Sequence, residues 1–153
     1  MKITELLKET FILGELQAQT KREALAEMVG LFRVGQGRID PEAMLQVLLE
    51  REKLGSTGIG DGIAIPHGKL GGLAEMVVAF GRSRRGIDFE AMDGRPVHLF
   101  FLLMAPENSA GLHLKALAKI SRMLKDASFR QRLLAAEGPA DLYRVIAQKD
   151  DES

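Results

Sequence analysis

The spacing of hydrophobic residues predicts both helices and strands along this chain. In five segments apolar residues recur at steps of three and four, the pattern of helices with one buried face. These segments are 21–34, 41–54, 110–125, 128–136 and 139–147. Short apolar runs bounded by Gly or Pro are typical of buried strands. Such runs lie at 62–66, 76–82 and 96–104, with a further candidate strand at 11–13.

Strands framed by helices at both ends of the chain predict an α/β fold. We expect a mixed β-sheet covered by α-helices on its faces, rather than a helical bundle or a β-sandwich. At 153 residues the chain has the length of a single domain. We place this domain at residues 1–149 and expect the acidic residues 150–153 to form a frayed tail.

Charge and composition exclude several classes of function. The 21 basic and 21 acidic residues leave a formal net charge of 0, so the chain as a whole does not attract nucleic acid. The absence of cysteine excludes disulfides, thiolate metal sites and a cysteine nucleophile. The longest apolar run, 99–105, is far shorter than the ~18 residues of a membrane span, and the N-terminus has no signal-peptide pattern. We therefore expect a cytoplasmic protein that does not insert into membranes.

Glycine is concentrated in one segment, which marks that segment as a candidate site. Seven of the 16 glycines lie within residues 55–72. Such a cluster indicates turns with positive φ or close approach of the main chain to another group. The segment matches neither a Walker A loop nor a dinucleotide-binding fingerprint, because Ile63 stands where both require glycine. The remaining feature is a histidine, His67, between Pro66 and Gly68.

His67 is the first candidate for a reacting side chain. One interpretation is a histidine that fills a strand end and bonds the backbone through one ring nitrogen. A nucleophilic imidazole must instead be neutral, oriented through its other nitrogen, and surrounded by donors for the charge that it acquires. The flanking residues favour the nucleophile, because Pro66 fixes φ and Gly68 lets backbone approach the group that the imidazole carries.

Two residues on helical stripes strengthen this interpretation. Arg51 follows Met44 and Val47 on an apolar helix face, where it either binds an anion or rests as a cation at the helix C-terminus. His113 lies on the inward stripe in the first turn of its helix, in line with Ile120. Helix N-termini attract anions, although a core or capping histidine is the alternative there.

Other polar clusters favour ordinary structural roles. His98 is typical of a polar strand end, and three neighbouring arginines are typical of a solvated turn, namely Arg82, Arg84 and Arg85. A basic stripe on the helix of His113 is typical of a solvent-exposed face, with a docking surface as the alternative, and it consists of Lys115, Lys119, Arg122 and Lys125. The three histidines of the chain lack the tight spacing of a metal site, so we expect no metal.

A resemblance to a known family is carried by residues 51–69, which read Arg-Glu-Lys-Leu-Gly-Ser-Thr-Gly-Ile-Gly-Asp-Gly-Ile-Ala-Ile-Pro-His-Gly-Lys. This segment resembles the EIIA domains of the bacterial phosphoenolpyruvate-dependent phosphotransferase system, in the fructose and mannitol class and above all in its nitrogen-regulatory members. The likeness continues through residues 87–106 and 113–121. Two positions depart from the family pattern: His98 stands where aspartate is frequent, and Lys115 where many nitrogen-regulatory members have histidine.

The resemblance implies a fold, a chemistry and a set of site residues. The fold is that of the family, and the chemistry is reversible transfer of a phosphoryl group from a small HPr-like phosphocarrier protein to Nε2 of His67, with no cofactor or metal. Arg51 and His113 would stabilise the phosphoryl group. Residues that would support the phosphate loop are Ser56, Thr57, Gly58 and Gly68, of which the first two could also donate hydrogen bonds through their hydroxyls or amides.

Three functions stay open at this stage. The first is a regulatory, nitrogen-type EIIA that signals through phosphorylation-dependent protein binding, because phosphorylation adds about −1.5 to −2 charges to its surface. The second is the EIIA component of a fructose/mannitol-type sugar transporter, which passes its phosphoryl group to an EIIB domain. Both are phosphoryl carriers rather than enzymes acting on a small molecule. The third is a metal-dependent hydrolase that uses His67 and His113 as base and ligand.

Overall fold

The computed structural model of the protein describes residues 1–33 and 40–152. In these residues six strands form one mixed sheet, with five α-helices around it. The strands are β1 (Ile12–Leu13), β2 (Gly58–Gly60), β3 (Ile63–Ala64), β4 (His67–Lys69), β5 (Val77–Ile87) and β6 (Val97–Ala105). The helices are α1 (Lys21–Val29), α2 (Pro41–Lys53), α3 (Ala110–Lys125), α4 (Ala127–Ala135) and α5 (Pro139–Glu152). The predicted fold class, a mixed sheet covered by helices, is confirmed.

Strand β6 is the centre of the sheet. The strand order is β1-β5-β6-β3-β2, and β4 also pairs with β6. On one side β5 runs antiparallel to β6, whereas β3 and β4 run parallel to it on the other side. The two short strands lie end to end, because Ile63 is opposite Leu99 and His67 is opposite Leu103. Strand β4 therefore continues the line of β3 after a break at residues 65–66.

Both faces of β6 are buried. Every residue of this strand is buried except the half-buried His98, and successive side chains of a strand point to opposite faces. The sheet is therefore covered on both sides, as continuous apolar strands require. Helices α1 and α2 pack together, and α2 reaches β4; α3 and α4 pack together and both reach β6. The candidate site lies where β4 meets α2 and the start of α3.

Capping residues define where the helices begin. Thr20 and Glu23 form a capping box at α1, and Asp40 caps α2 with Pro41 at its first position. Helix α1 is shorter than predicted, because the chain tightens into a 3-10 helix at Gly30–Arg33; Val34 lies outside the described residues. No helix in the described part of the chain is long and apolar enough to cross a membrane.

The strands follow the predicted apolar runs with some differences. The runs at 76–82 and 96–104 are β5 and β6, and the run at 62–66 is β3 followed by the break before β4. The predicted strand at 11–13 is the two-residue β1, which follows a 3-10 helix at Glu9–Phe11. The pattern of hydrophobic residues locates such short strands only approximately.

The interpretation of Arg82 as part of a solvated turn is wrong. Strand β5 continues through this residue, and Arg82 is 1% exposed. Its guanidinium donates hydrogen bonds to the carbonyls of Gly14, Leu133 and Ala136. These acceptors include the last carbonyls of α4, so the arginine closes a helix end that lies far away in the sequence.

The prediction of a frayed acidic tail is wrong for residues 150–152. These residues continue α5, and Asp150 is 0% exposed. Its carboxylate pairs with Lys119 at 2.6 Å and accepts the N–H and the hydroxyl of Thr4, both at 3.0 Å. Lys119 is itself 5% exposed, so it does not belong to a solvated helix face. A buried charge with partners of this kind holds the helix end in place; Ser153 lies outside the described residues.

Candidate functional site

His67 opens β4 at the point where helix α2 crosses the sheet. A Cβ on Gly68 would lie 2.6 Å from Cγ1 of Val47, so the glycine is required for the close approach of α2. This reason differs from the expectation that Gly68 makes room for the group carried by the imidazole. Gly58 has a similar role, because a Cβ there would lie 2.9 Å from Cβ of Ala91. Both glycines therefore allow tight packing, Gly68 against α2 and Gly58 against the segment of Ala91.

The ring of His67 has one nitrogen engaged by the backbone. Its Nδ1 lies 2.8 Å from the carbonyl oxygen of Ile65. Since a carbonyl can only accept, the hydrogen bond places the proton on Nδ1 and leaves the lone pair of Nε2 free. The side chain is half-buried, so the ring edge can be reached from outside.

Burial and neighbouring charges keep His67 neutral. Burial is the largest cause that holds the pKa of His67 below its ordinary value of 6.5, and it is opposed by the hydrogen bond to Ile65. The guanidinium of Arg51 lowers this pKa further, and the carboxylate of Glu52 raises it. A neutral imidazole at neutral pH is what nucleophilic attack requires.

His113 lies against His67 in the first turn of α3. The two ring centroids are 5.6 Å apart, with the ring planes at 73°. His113 is 6% exposed, and within the described residues its Nε2 has no hydrogen-bond partner. Burial lowers the pKa of His113, as do His67 and Lys69. An unpaired buried polar atom costs about 1–3 kcal/mol, so this nitrogen can take a partner that the described residues do not supply.

The N-terminus of α3 has no side-chain cap, unlike those of α1, α2 and α4. Ser109 stands at the cap position without a side-chain bond to the described helix, and its hydroxyl donates instead to the carbonyl of Pro106 at 2.7 Å. By contrast, Asp126 accepts the N–H groups of Ser128 and Phe129 at the start of α4. Free N–H groups and the positive end of the helix dipole favour an anion beside His113.

Arg51 reaches the site from α2. It lies one helical turn beyond Val47, which packs on β4, and its half-buried guanidinium donates to the carbonyl of Gly55 at 3.0 Å. Its charge acts on the pKa of His67. The structure thus brings His67 and His113 together from β4 and α3, and the charge of Arg51, on α2, is close enough to act on His67. Two imidazoles and one guanidinium around an open helix end can hold a dianionic group.

The hydroxyls of Ser56 and Thr57 are committed within the loop. Thr57 donates through its N–H at 3.1 Å and through its hydroxyl to the carboxylate of Glu52. The hydroxyl of Ser56 donates to the carbonyl of Phe89 at 3.2 Å and accepts the N–H of Gly58 at 3.0 Å. In this structure both hydroxyls and the N–H of Thr57 are thus engaged within the protein, and the expectation that the hydroxyls or amides of Ser56 and Thr57 donate to a phosphoryl group stays a prediction. The two hydroxyls shape the loop that joins α2 to β2.

Sequence reasoning missed Glu52. Its carboxylate is buried against Thr57 and lies 3.1 Å from Nζ of Lys21. The sequence did contain a sign of its burial. Glu52 follows Met44 by eight residues and Leu48 by four, which places it on the buried stripe of α2. A carboxylate on an apolar stripe needs a partner inside the protein.

A protein-family model described as "Phosphoenolpyruvate-dependent sugar phosphotransferase system, EIIA 2" matches residues 5–149. The chain belongs to this family. A nitrogen regulatory protein of Bradyrhizobium diazoefficiens is 45% identical to this EIIA domain over 147 residues, which are 96% of this chain and 95% of that protein. The resemblance stated from the sequence is thereby confirmed.

Solved EIIA structures share the fold. The crystal structure of nitrogen regulatory protein IIA-Ntr from Neisseria meningitidis superimposes with a TM-score of 0.87 at 33% identity, covering 94% of this chain and 98% of that chain. A chain in the complex of enzyme IIA-Mtl with phosphorylated enzyme IIB-Mtl from Escherichia coli gives a TM-score of 0.75 at 26% identity, with 94% and 99% covered. That second structure is an EIIA domain bound to a phosphorylated partner.

Proposed function

We propose that this EIIA domain is a phosphohistidine carrier that accepts a phosphoryl group on Nε2 of His67 from an HPr-like phosphocarrier protein. The observation that carries the proposal is the pair of histidines. One ring presents a nitrogen with a free lone pair, and the other, 5.6 Å away between centroids, holds a buried Nε2 with no partner in the described residues. A phosphoryl group on His67 would supply that partner.

In this mechanism Nε2 of His67 attacks the phosphorus atom of the donor's phosphohistidine. The new P–N bond forms as the P–N bond to the donor breaks, and the donor's imidazole leaves with that electron pair. The Nδ1–H bond to the carbonyl of Ile65 orients the ring and disperses its positive charge. Arg51 neutralises part of the charge on the phosphoryl oxygens, and Nε2 of His113 donates a hydrogen bond to one of them. The transition state is loose, so position and charge account for most of the catalysis.

We propose that the carrier is regulatory, of the nitrogen type. Support comes from the relatives named nitrogen regulatory proteins, which match this chain along almost their full length. Exposed apolar side chains lie close to Arg51 and His113 in the sequence, with Leu54 at 84%, Leu112 at 46% and Leu114 at 68% exposed. About −1.5 to −2 charges added to such a surface would change its affinity for a partner protein. A relay fed by phosphoenolpyruvate would act in the cytoplasm.

A transport role is the second candidate. It is favoured by the solved complex in which a similar domain binds phosphorylated enzyme IIB-Mtl. An EIIB domain that discharges the labelled protein would support it. The third candidate, a metal-dependent hydrolase, is weakened because the described residues contain no group of three or more His, Asp or Glu side chains that could hold a metal ion. Metal analysis of the purified protein tests that candidate.

The proposal is tested by mixing the purified protein with phosphoenolpyruvate, Enzyme I and HPr. We expect an acid-labile, alkali-stable label on the wild type and none on His67→Ala. His98→Ala is a matched control, because Nδ1 of His98 also lies 2.8 Å from a carbonyl, that of Ser83, and this variant should accept the label. A labelled His67→Ala protein, or an unlabelled wild type, would overturn the proposal.

A further inference from the structure

A chain of buried hydrogen bonds joins helix α2 to the peptide that orients His67. We propose that Glu52 is a positioning residue for phosphoryl transfer, which acts through Thr57 and Ile65 to fix which ring nitrogen of His67 is free to react. The inference rests on the proposed carrier function and adds to it a residue that does not touch the phosphoryl group. Its three links are all present in the folded chain.

The first link anchors the loop after α2. Glu52 accepts both the N–H and the hydroxyl of Thr57, and its other close partner is Nζ of Lys21 at 3.1 Å. The side chains of Lys21 and Glu52 are 14% and 4% exposed, and the ammonium lies 5.1 Å from the ring centroid of Phe89. Because these charges are shielded from water and paired, the carboxylate is held in one place.

The second link runs from Thr57 to Ile65. The carbonyl of Thr57 accepts the N–H of Ile65 at 3.1 Å. The next residue, Pro66, has no N–H, and its carbonyl accepts the N–H of Leu103 at 2.9 Å. The main chain before β4 is thus fastened to the Thr57 loop on one side and to β6 on the other. These bonds set the direction of the carbonyl between them, that of Ile65.

The third link is the bond from Nδ1 of His67 to that carbonyl, at 2.8 Å. A neutral imidazole can carry its proton on either nitrogen, and only the Nδ1–H tautomer leaves Nε2 free to attack. If the carbonyl of Ile65 moves away from Nδ1, the preference for the Nδ1–H tautomer is lost. Glu52 also opposes Arg51 in its effect on the pKa of His67, so the same carboxylate is electrostatically close to the reacting ring.

The kinetic test uses Glu52→Gln, which keeps the shape of the side chain but loses its charge and one acceptor oxygen. We expect kcat for phosphoryl transfer from HPr to fall about 10- to 100-fold, the usual effect of removing a group that orients a reacting residue, with KM for HPr unchanged. Glu50→Gln is the matched control, since it makes the same charge change in α2 at a side chain that is 65% exposed, and its rate should not change. Equal rates in the two variants would overturn the proposal.

The spectroscopic test reads the tautomer of His67 directly in the unphosphorylated protein. Long-range ¹H–¹⁵N spectra of the wild type should show the Nδ1–H form, and those of Glu52→Gln a mixture of both tautomers. A Glu52→Gln spectrum that keeps the pure Nδ1–H form would overturn the proposal even if transfer is slow. This measurement needs no donor protein. If the wild type is never phosphorylated, the carrier function is refuted. The tautomer of His67 would still show whether Glu52 positions the ring.

A second pair of variants covers the case in which Glu52→Gln does not fold. Thr57→Val removes the hydroxyl that donates a hydrogen bond to Glu52, and Thr57→Ser retains this hydroxyl. We expect mixed tautomers and slow transfer in Thr57→Val, and recovery of both properties in Thr57→Ser. Identical spectra and rates for the two variants would overturn the proposed path through this residue.

Discussion

Two buried polar clusters of this protein, both built on α3, differ in how completely they are paired. At the C-terminal cluster, Asp150 binds Lys119 and both donors of Thr4, and Lys119 also donates to the carbonyl of Met1 at 2.6 Å. At the histidine cluster, Nε2 of His113 has no partner in the described residues, and His67 is half-buried. The first cluster fastens the two ends of the chain, and the second is arranged for a group that arrives later. Breaking the first should cost stability, and breaking the second should cost transfer.

The largest expected effect is that of His67→Ala on transfer. Among the described residues, only the ring of His67 is accessible, donates its Nδ1 proton to a backbone carbonyl and lies against an imidazole with an unpaired nitrogen. Phosphoryl transfer from HPr should therefore be lost completely. The midpoint of thermal unfolding should stay close to that of the wild type, because the half-buried ring makes a single hydrogen bond to Ile65. Labelling and circular dichroism measure the two quantities. Loss of folding together with loss of labelling would contradict the separation of the clusters.

Asp150→Asn should have the largest effect on stability. It leaves the Lys119 ammonium buried without its charge partner, which costs about 3–5 kcal/mol of unfolding free energy. Urea denaturation measures this cost. Asp151→Asn is the control, since its carboxylate is 77% exposed and pairs with Lys2 at the surface, where a pair contributes about 0–1 kcal/mol. The folded fraction of Asp150→Asn should accept the phosphoryl group at the wild-type rate. A slower rate would mean that the C-terminal cluster also affects phosphoryl transfer, which contradicts the comparison.

His113→Ala should slow transfer by about 10²- to 10³-fold, the usual effect of losing one donor to a developing charge. It should cost less stability than Asp150→Asn, because the nitrogen that is removed has no partner to leave behind in the described residues. The rate is measured from labelling reactions that are quenched at successive times. The control is Lys125→Ala at the exposed far end of the same helix, whose rate should equal that of the wild type. An undiminished rate in His113→Ala would remove this residue from the site.

The smallest expected effect is that of pH. Burial lowers the pKa values of both His67 and His113 below 6.5. Their imidazoles therefore bind protons more readily in the unfolded chain, so the free energy of unfolding should fall as the pH drops below 6.5 through the folded-state pKa values. An NMR titration of the ring protons should give midpoints below 6.5 for both histidines. Midpoints above that value would mean that charged neighbours outweigh burial.

Local sequence signals predicted the parts of the molecule that depend on local forces. The apolar run of β6 and the Pro-His-Gly frame of His67 each lie within a few residues of what they determine. The stripe of α3 also placed His113 on a buried face, where it lies against His67. Helical spacing alone was sufficient for this step. The role of Arg51 stays a prediction.

The errors concern partners that are distant in the sequence. Arg82 looks solvated until the fold brings the carbonyls of Leu133 and Ala136 to it, and Asp150 looks frayed until Lys119 meets it. Both are charged residues whose burial depends on several partners that lie far away in the sequence. Glu52 differs, because its place on the buried stripe of α2 was visible in the sequence and only its bonds to Thr57 were not.

The central claim is that Nε2 of His67 carries the phosphoryl group. It is tested most directly by ³¹P and ¹⁵N NMR of the uniformly ¹⁵N-labelled protein after phosphorylation by HPr. The account predicts one phosphoramidate whose phosphorus couples to Nε2 of His67, while Nδ1 keeps its proton and its bond to Ile65. Phosphorus coupled to Nδ1, or attached to any other residue, would contradict it.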